Sequence, residues 1–282
     1  AEPTEAMAAG APGASSSRSA YSQFLDKLKH PSAKAVANDV HGFVTAFPPG
    51  LPRQEAARRV RVFLSDAAPR LLLAEAFAAD GSDNQQELVE EGLEKFVVLK
   101  LYNVLFQQIP TDTGEDGAAR QRAAGMALAR SALDSPVGDV GRLVAQAAAE
   151  LQKVNRYRAP RDKLGCMLNA YRLIENFVVE DAFQRDAAGD APREEAFLNQ
   201  VLTTTLKEAM PENFFSNVVF VSTYRHPSRI SPEEQRCLQS FTNAAASLES
   251  GADAGDGADR AVAGPGAAAI LAAGLEEVPE VA

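Results

Sequence analysis

The sequence predicts an all-α protein, and three observations carry that prediction. Apolar residues recur at helical spacing in segment after segment of the 282-residue chain. Prolines stand near the starts and ends of those segments, where a missing backbone N–H costs least. Alanine, which has the highest helix propensity, is very common. We therefore expect helices from about residue 20 to about residue 250, without a regular repeat.

The first predicted helices follow one another with proline boundaries. One begins near Pro31, and residues 52–77 give one or two more, interrupted at Pro69. A wide apolar stripe runs through "EEGLEKFVVLKLYNVLFQQI", and Pro110 ends that helix. Helical patterns continue through "ARQRAAGMALARSAL" and "VGRLVAQAAAELQKVN", and a further apolar stripe follows Pro160.

Three segments complete the folded part. A helix is predicted in "EEAFLNQVLTTTLKEA", whose first residues are Glu194 and Glu195. Strand-forming residues dominate "NVVFVSTY", so propensity alone indicates a strand there. The last helix, in "SPEEQRCLQSFTNAAASLES", opens with a capping box in which Ser231 is the cap and Glu234 stands three residues on.

The composition of the chain ends and the net charge indicate which classes of partner to expect. Residues 1–19 and 251–282 are low in complexity and are predicted to be disordered. The net charge is −10, and half of it lies in 251–282, which holds six acidic residues and one arginine. Because no basic stripe occurs, we expect no nucleic-acid partner.

Membrane and redox signals point to a cytoplasmic protein. The longest apolar runs are shorter than the ~20 residues that cross a bilayer, so no transmembrane segment is expected. The first residues contain no apolar signal core. The two cysteines, Cys166 and Cys237, fall on apolar helix faces and are interpreted as buried free thiols.

The usual catalytic motifs do not occur in the sequence. Three histidines, His30, His41 and His226, are scattered, and none has a partner at metal-ligand spacing. No metal and no cofactor is therefore expected. Taken alone, the residues indicate an acidic helical domain that binds a partner rather than an enzyme.

The stretch "RYRAPRDKL" is unusual because a charged cluster follows a proline between two helices. A structural interpretation places Pro160 in a first helical turn and Asp162 at the positive end of that helix. Lys163 and the neighbouring arginines would then be paired or solvated. Spacing alone favours this helix junction over a binding site.

Two other polar features also have a structural interpretation. Glu194 and Glu195 would be stabilised by the dipole of the helix that they open, by ~0.3–1 kcal/mol. Gln239, Thr242 and Asn243 form a polar stripe beside the buried face of the last helix, where solvated surface is the default expectation.

Five segments, in order over about residues 20 to 250, together resemble one family. "LQKVNRYRAPRDKLGCMLNAYRLIENFV" resembles the signature of the Vps-nine domain, the catalytic module of guanine-nucleotide exchange factors for Rab-five-class endosomal GTPases. "GLEKFVVLKLYNVLF", "FFSNVVFVSTYRHPSRI" and "SFTNAAASLE" are similar to three further family segments. "YSQFLDKLKHPSAKAVANDVHGFVTAF" resembles the helical bundle that precedes the domain in plant-type members.

The resemblance implies an all-α fold in which an N-terminal bundle, residues 20–80, packs on a layered helical Vps-nine domain, residues 81–250. It implies a helix at "NVVFVSTY". It makes "RAPRDKL" a structural hinge rather than the active site. Its structural signature here consists of Pro160, Asp162, Lys163, Ser216 and Asn217.

The family mechanism moves no bonds, so the resemblance implies an exchange factor and not a bond-making enzyme. An acidic side chain enters the nucleotide site, competes for the phosphate-binding lysine and repels the β-phosphate. Aligning "APREEAFLN" on the family motif puts Glu195 at the acid's position and Asn199 where the family has proline. Gln239 replaces a family tyrosine, whereas Thr242 and Asn243 are kept.

The departures from the family pattern leave alternatives open. The first is a non-catalytic scaffold that binds a Rab GTPase but no longer releases nucleotide. The second is an unrelated helical adaptor. On the main hypothesis the partner is a Rab-five-class GTPase in endocytic or vacuolar vesicle trafficking. The protein would then be recruited from the cytoplasm to endosomes as a peripheral membrane protein.

Overall fold

The computed structural model describes residues 12–78, 84–106, 114–118, 120–121, 135–187 and 194–250. Every regular element in these ranges is a helix, and none of these residues lies in a β-strand. The predicted all-α class is therefore confirmed.

The helices range from the four residues of Glu75–Ala78 to the 28 residues of Pro160–Ala187. The first five are α1 (Pro12–Leu28), α2 (Lys34–Ala46), α3 (Arg53–Leu72), α4 (Glu75–Ala78) and α5 (Gln85–Leu105). The next five are α6 (Val140–Leu151), α7 (Pro160–Ala187), α8 (Glu194–Ala209), α9 (Phe214–Tyr224) and α10 (Pro232–Ser250). Residues 114–118 are also helical. The 3-10 helices Pro31–Ala33, Gln152–Arg156 and Pro227–Arg229 lie between them.

The chain divides into two compact units. The first comprises the chain up to Pro48 together with Arg58–Leu101. The second comprises Pro49–Ala57 together with the chain from Tyr102 onward. The boundary at Leu101 lies later in the chain than the one predicted at residue 80. The family-defined domain limits stay a prediction.

A close approach of α1 to α5 organises the first unit. Phe24 of α1 has no exposed surface, and its ring lies against Gly92 of α5. A Cβ atom at position 92 would come within 2.2 Å of a ring carbon. Phe77 and Tyr21 contact the same ring, at centroid distances of 5.8 and 6.2 Å. Glycine is required at position 92 because any side chain would push α1 away.

Helix α3 continues through Pro69, so the predicted interruption there is wrong. The missing N–H lies in the last turn of the helix, where its loss removes only one intrahelical hydrogen bond. Arg70, the next residue, stabilises this end of the helix. It donates to Asp66 of the same helix at 3.1 Å and also to Asp39 of α2.

A hydrophobic core built from α6 to α10 fills the described part of the second unit. Helix α6 packs on α7 and α8, and α8 also packs on α10. Both cysteines, Cys166 and Cys237, are buried free thiols in this core, as predicted. Its largest fully buried apolar side chains are Leu151, Leu164, Met167, Ile174, Phe197 and Phe241.

Helix α9 contains the segment "NVVFVSTY", so the strand indicated by propensity is wrong and the helix implied by the resemblance is confirmed. Every residue from Phe214 to Tyr224 is buried. A helix surrounded on all sides gains from large apolar side chains more than it loses from their low helix propensity. Asn213 starts the helix in the left-handed conformation, at a φ of 58°.

The structure tests the prediction for residues 12–19, and several other predicted features lie outside the described residues. Helix α1 begins at Pro12, so residues 12–19, predicted to be disordered, are helical. Extending a helix that is anchored by Phe24 costs little, because each added residue brings one hydrogen bond. Pro110 and most of "ARQRAAGMALARSAL" lie outside the described residues, as do residues 251–282.

The sequence His-Pro-Ser occurs twice and adopts the same local structure each time. His30 accepts a hydrogen bond from the backbone N–H of Ser32 at 3.3 Å, and His226 accepts one from Ser228 at 3.3 Å. Each histidine thereby caps a 3-10 helix that starts at the following proline. These two histidines are thus local caps, and His41 is exposed on α2.

Candidate functional site

The predicted acidic residue lies at the exposed start of α8. Glu194 and Glu195 occupy the first turn of the helix, and both are exposed. Phe197, two residues later, is 1% exposed and anchors the helix start in the core. The exposed backbone N–H groups of a first turn favour negative charge, which stabilises both carboxylates. The arrangement presents a carboxylate on a rigid support.

Asn199 lies one turn after Glu195 and therefore on the same side of α8. Its side chain is half-buried, and its backbone carbonyl oxygen accepts a hydrogen bond from the Thr203 hydroxyl at 2.7 Å. Asparagine donates backbone and side-chain N–H groups that the proline of the family pattern does not have. This side of α8 is consequently more polar than the family motif predicts.

The second predicted group lies on α10. The capping box is confirmed, because Ser231 N–H donates to Glu234 Oε2 at 2.7 Å and Glu234 N–H donates to Ser231 Oγ at 3.2 Å. The exposed Gln239 donates from Nε2 to Asn243 Oδ1 at 3.0 Å, one turn further on. These two amides form an exposed polar pair on the surface of the helix.

Thr242 does not share that exposure. Its side chain is 5% exposed, and its hydroxyl donates to the carbonyl oxygen of Leu238 at 2.8 Å. Thr242 therefore differs from Gln239 and Asn243, because its side chain faces the core and not the surface of α10. Since α8 packs on α10, the structure places Glu195 and Asn199 on a helix adjacent to the one that carries Gln239 and Asn243.

The signature stretch starts α7 as predicted. Pro160 is the first residue of the helix, and Asp162 lies in its first turn. Lys163 departs from the prediction, because it is neither solvated nor ion-paired but fully buried. Its Nζ atom donates to the carbonyl oxygen of Val154 at 3.2 Å and to Asn217 Oδ1 at 2.5 Å. Burial lowers the pKa of this amine to about 8.

Two aromatic rings complete the surroundings of Lys163. Its Nζ atom lies 4.9 Å from the ring centroid of Phe106 and 5.6 Å from that of Tyr102. An ammonium group over an aromatic face is stabilised by about 0.5–2 kcal/mol, which offsets part of its desolvation. This explains why a lysine occurs at this position: its long stem reaches between α7 and α9, where it can make both kinds of contact.

The two signature residues of α9 are held by partners that the sequence did not reveal. Asn217 Nδ2 donates to Asn155 Oδ1 at 2.8 Å and to the carbonyl oxygen of Asn213 at 2.7 Å. The backbone N–H of Ser216 donates to Asp116 Oδ1 at 3.1 Å. Ser216 and Asp116 are 100 residues apart in the chain, and no local pattern links such distant residues.

Neither a metal-ligand cluster nor a membrane-crossing helix occurs in the described ranges. No three side chains among their histidines, cysteines and acidic residues come together as metal ligands. In the same part of the chain, no helix combines the length and the apolarity needed to cross a membrane.

Comparison with known proteins identifies a family for the part of the chain that contains α8 and α10. Residues 144–252 match the family described as the vacuolar sorting protein 9 (VPS9) domain. This range covers α7 to α10 and most of α6, and so includes all ten residues of the predicted site and signature. The chain therefore carries a VPS9 domain, as the resemblance implies.

Three curated relatives show how far the likeness extends. Vacuolar protein sorting-associated protein 9A of Oryza sativa subsp. japonica is 30% identical over 232 residues, 79% of this chain and 46% of the relative. The protein of that name from Arabidopsis thaliana is 30% identical over 221 residues, 74% of this chain and 40% of the relative. The Rab5 GDP/GTP exchange factor of Mus musculus is 22% identical over 231 residues, 78% of this chain and 44% of the relative. The chain spans less than half the length of these relatives.

Proposed function

We propose that this protein is a guanine-nucleotide exchange factor that promotes GDP release from a Rab-five-class small GTPase. The VPS9 domain supports this assignment, and so do relatives named for exchange on Rab5. The observation that carries the proposal is Glu195, a carboxylate exposed on a helix start that the buried Phe197 fixes in place.

The proposed mechanism is electrostatic and breaks no covalent bond. A small GTPase holds GDP through a phosphate-binding lysine and Mg²⁺. The Glu195 carboxylate enters that site, pairs with the lysine and repels the β-phosphate. Two like charges about 4 Å apart repel by about 4 kcal/mol at an effective dielectric of 20. A barrier lowered by that amount corresponds to roughly a thousand-fold faster release.

The remaining residues at the surface of the site, the half-buried Asn199 and the exposed Gln239 and Asn243, bind the GTPase and do not displace its nucleotide. Asn199 lies one turn from the acid, and Gln239 and Asn243 form the polar pair on the adjacent helix. Where the family tyrosine supplies an aromatic ring, Gln239 supplies amide hydrogen bonds. The loss of an interface aromatic commonly costs more than ~1 kcal/mol, so this protein acts more weakly than members that keep the tyrosine.

We place the activity in endocytic or vacuolar vesicle trafficking, with the protein recruited from the cytoplasm to the surface of endosomes. The names of the relatives support this setting.

A second function is favoured by the amide pair of α10. Gln239 and Asn243 would suffice to hold a GTPase without releasing its nucleotide, which describes a Rab-binding scaffold.

The release of fluorescent GDP from a purified Rab-five-class GTPase separates these two functions. Wild-type protein is expected to accelerate release, Glu195→Ala to abolish most of that acceleration, and Glu195→Asp to retain it. Glu194→Ala is the matched control, because Glu194 is an exposed carboxylate in the same helical turn but on another side of α8. Equal activity of wild type and Glu195→Ala would exclude the acidic mechanism. Binding without any acceleration would establish the scaffold.

A further inference from the structure

A partly exposed ion pair joins α10 to α7. Arg172 Nε and Nη2 donate to Glu233 Oε1 and Oε2, both at 2.5 Å. Both oxygens are engaged, so this is a bidentate fork, which fixes direction as well as distance. The same hydrogen bonds lower the pKa of the Glu233 carboxyl. Two helices that are neighbours in space are therefore joined by a directional contact.

A second polar contact lies beside the first. Tyr171 precedes Arg172, and its hydroxyl donates to Glu175 Oε1 at 3.0 Å. Burial is the main cause that raises the pKa of Tyr171, and Glu175 raises it further. Ser240 and Arg236 of α10 lower the pKa of Tyr171. These two residues and Glu233 on α10, with Tyr171, Arg172 and Glu175 on α7, form what we call the polar seam.

The seam and the predicted GTPase-binding pair lie side by side on α10, because Arg236 and Asn243 are seven residues apart and therefore on the same side of the helix. At about 100° per residue, Glu233, Arg236 and Ser240 fall on one side of α10. Gln239 and Asn243 lie about 80–120° around the helix from Glu233. Because a side chain lies about 5–6 Å from the helix axis, a rotation of about 10° moves it by about 1 Å. The direction in which the pair faces therefore depends on how α10 is rotated.

Apolar packing and the ion pair both act on that rotation. The buried face of α10 places Leu238 and Phe241 in the core. Hydrophobic burial is non-directional, whereas a bidentate hydrogen bond has a preferred direction as well as a preferred distance. The fork from Arg172 is therefore a directional contact that acts on the orientation of α10 in addition to its apolar packing.

We propose that the Arg172–Glu233 ion pair is a positioning clamp that sets the rotation of α10 and thereby presents Gln239 and Asn243 to the GTPase. This inference rests on the proposed exchange function. Arg172 and Glu233 are positioning residues. They act on the orientation of α10, and their loss does not change the position of Glu195 on α8. Their loss weakens recognition of the GTPase and leaves the maximal exchange rate unchanged.

The kinetic test is a double-mutant cycle with Arg172→Gln, Glu233→Gln and the double variant. The rate of GDP release is measured against GTPase concentration, so that KM and kcat separate. Each single variant is expected to raise KM about two- to five-fold at constant kcat, the range expected for exposed ion pairs. The double variant is expected to be no worse than either single variant. An unchanged KM, or effects that multiply in the double variant, would overturn the clamp.

A second measurement needs no GTPase. Hydrogen exchange of the α10 amides is expected to quicken about two- to five-fold in both single variants. Lys153→Gln is the matched control, since its ion pair with Glu150 is also 2.5 Å long but joins residues three apart in sequence. Unchanged exchange in α10 refutes the clamp whatever the function. Faster exchange in α10, in a protein that neither binds nor activates a GTPase, keeps the clamp and refutes the proposed function.

Discussion

Lys163 Nζ donates to Asn217 Oδ1 at 2.5 Å and thereby joins α7 to α9 across 54 residues of sequence. The lysine has no exposed surface, and its Nζ atom donates to uncharged oxygens and lies over two aromatic rings. A buried polar network of this kind specifies one arrangement of the helices, because each group left unbonded is costly. Helix α9 therefore depends on a residue of the signature stretch for its position.

Lys163→Met is expected to destabilise the protein by about 1–3 kcal/mol. Methionine fills the volume of the stem but leaves Asn217 Oδ1 and the Val154 carbonyl oxygen without their donor in a buried site. Chemical denaturation measures the change in the free energy of unfolding. Lys153→Met, on the neighbouring 3-10 helix, removes a partly exposed lysine and is expected to change it by less than about 0.5 kcal/mol. Equal effects of the two substitutions would contradict the role assigned to Lys163.

The same lysine makes stability depend on pH. Its folded-state pKa is lowered to about 8 from the 10.5 of an unperturbed lysine. Between these two values the unfolded chain binds more protons than the folded chain, so the free energy of unfolding rises with pH. The wild-type protein is expected to gain stability relative to Lys163→Met between about pH 8 and pH 10, on the order of 2 kcal/mol. Parallel stability profiles of the two proteins would show that Lys163 is not held in this way.

Gly92→Ala is expected to destabilise the first unit by about 2 kcal/mol or more, although alanine is the better helix former. The new methyl group would overlap the ring of Phe24, which is itself enclosed by neighbours and cannot turn aside. Gly42→Ala in α2 is the matched control, because nothing lies within 4 Å of its Cβ position. That change is expected to stabilise the protein by about 0.5–1 kcal/mol. The unfolding temperatures of both variants test this prediction. A Gly92→Ala variant that is more stable than the wild type would contradict the packing described.

Thr205→Val is expected to be neutral or to stabilise the protein by up to about 1 kcal/mol. Thr205 has no exposed surface and its hydroxyl has no hydrogen-bond partner among the residues that the structure describes, whereas Thr203 and Thr204 each bond a carbonyl oxygen one turn back. Valine removes a buried polar atom that is not satisfied. Thr242→Val, which breaks a hydrogen bond that is made, is expected to cost about 0.5–1 kcal/mol. Chemical denaturation measures the free energy of unfolding of both variants. A larger loss for Thr205→Val than for Thr242→Val would contradict this account.

Periodicity and caps were sufficient to predict most of the helical framework. The capping box of α10 and the start of α7 at Pro160 depend only on residues within a few positions of each other. Propensity failed at "NVVFVSTY", because burial on every side of α9 outweighs an intrinsic preference. The interruption predicted at Pro69 was wrong because the proline lies in the last turn of α3, where its missing N–H removes only one hydrogen bond.

The candidate site was predictable in its residue types but not in its environment. The sequence indicates a carboxylate at Glu195 and amides at Gln239 and Asn243, and all three lie at exposed positions. It did not indicate that Lys163 and Thr242 are buried. It also missed Asn155 and Asp116, since each forms a contact with a residue at least 57 positions away. Such contacts depend on how the helices pack, which no local spacing encodes.

The rate of GDP release from a Rab-five-class GTPase, measured at increasing concentrations of this protein, tests the central claim most directly. The account predicts a rate that rises and saturates, and that returns to the intrinsic rate in Glu195→Ala but not in Glu194→Ala. An intrinsic release rate at every concentration, under conditions in which the two proteins form a complex, would contradict it.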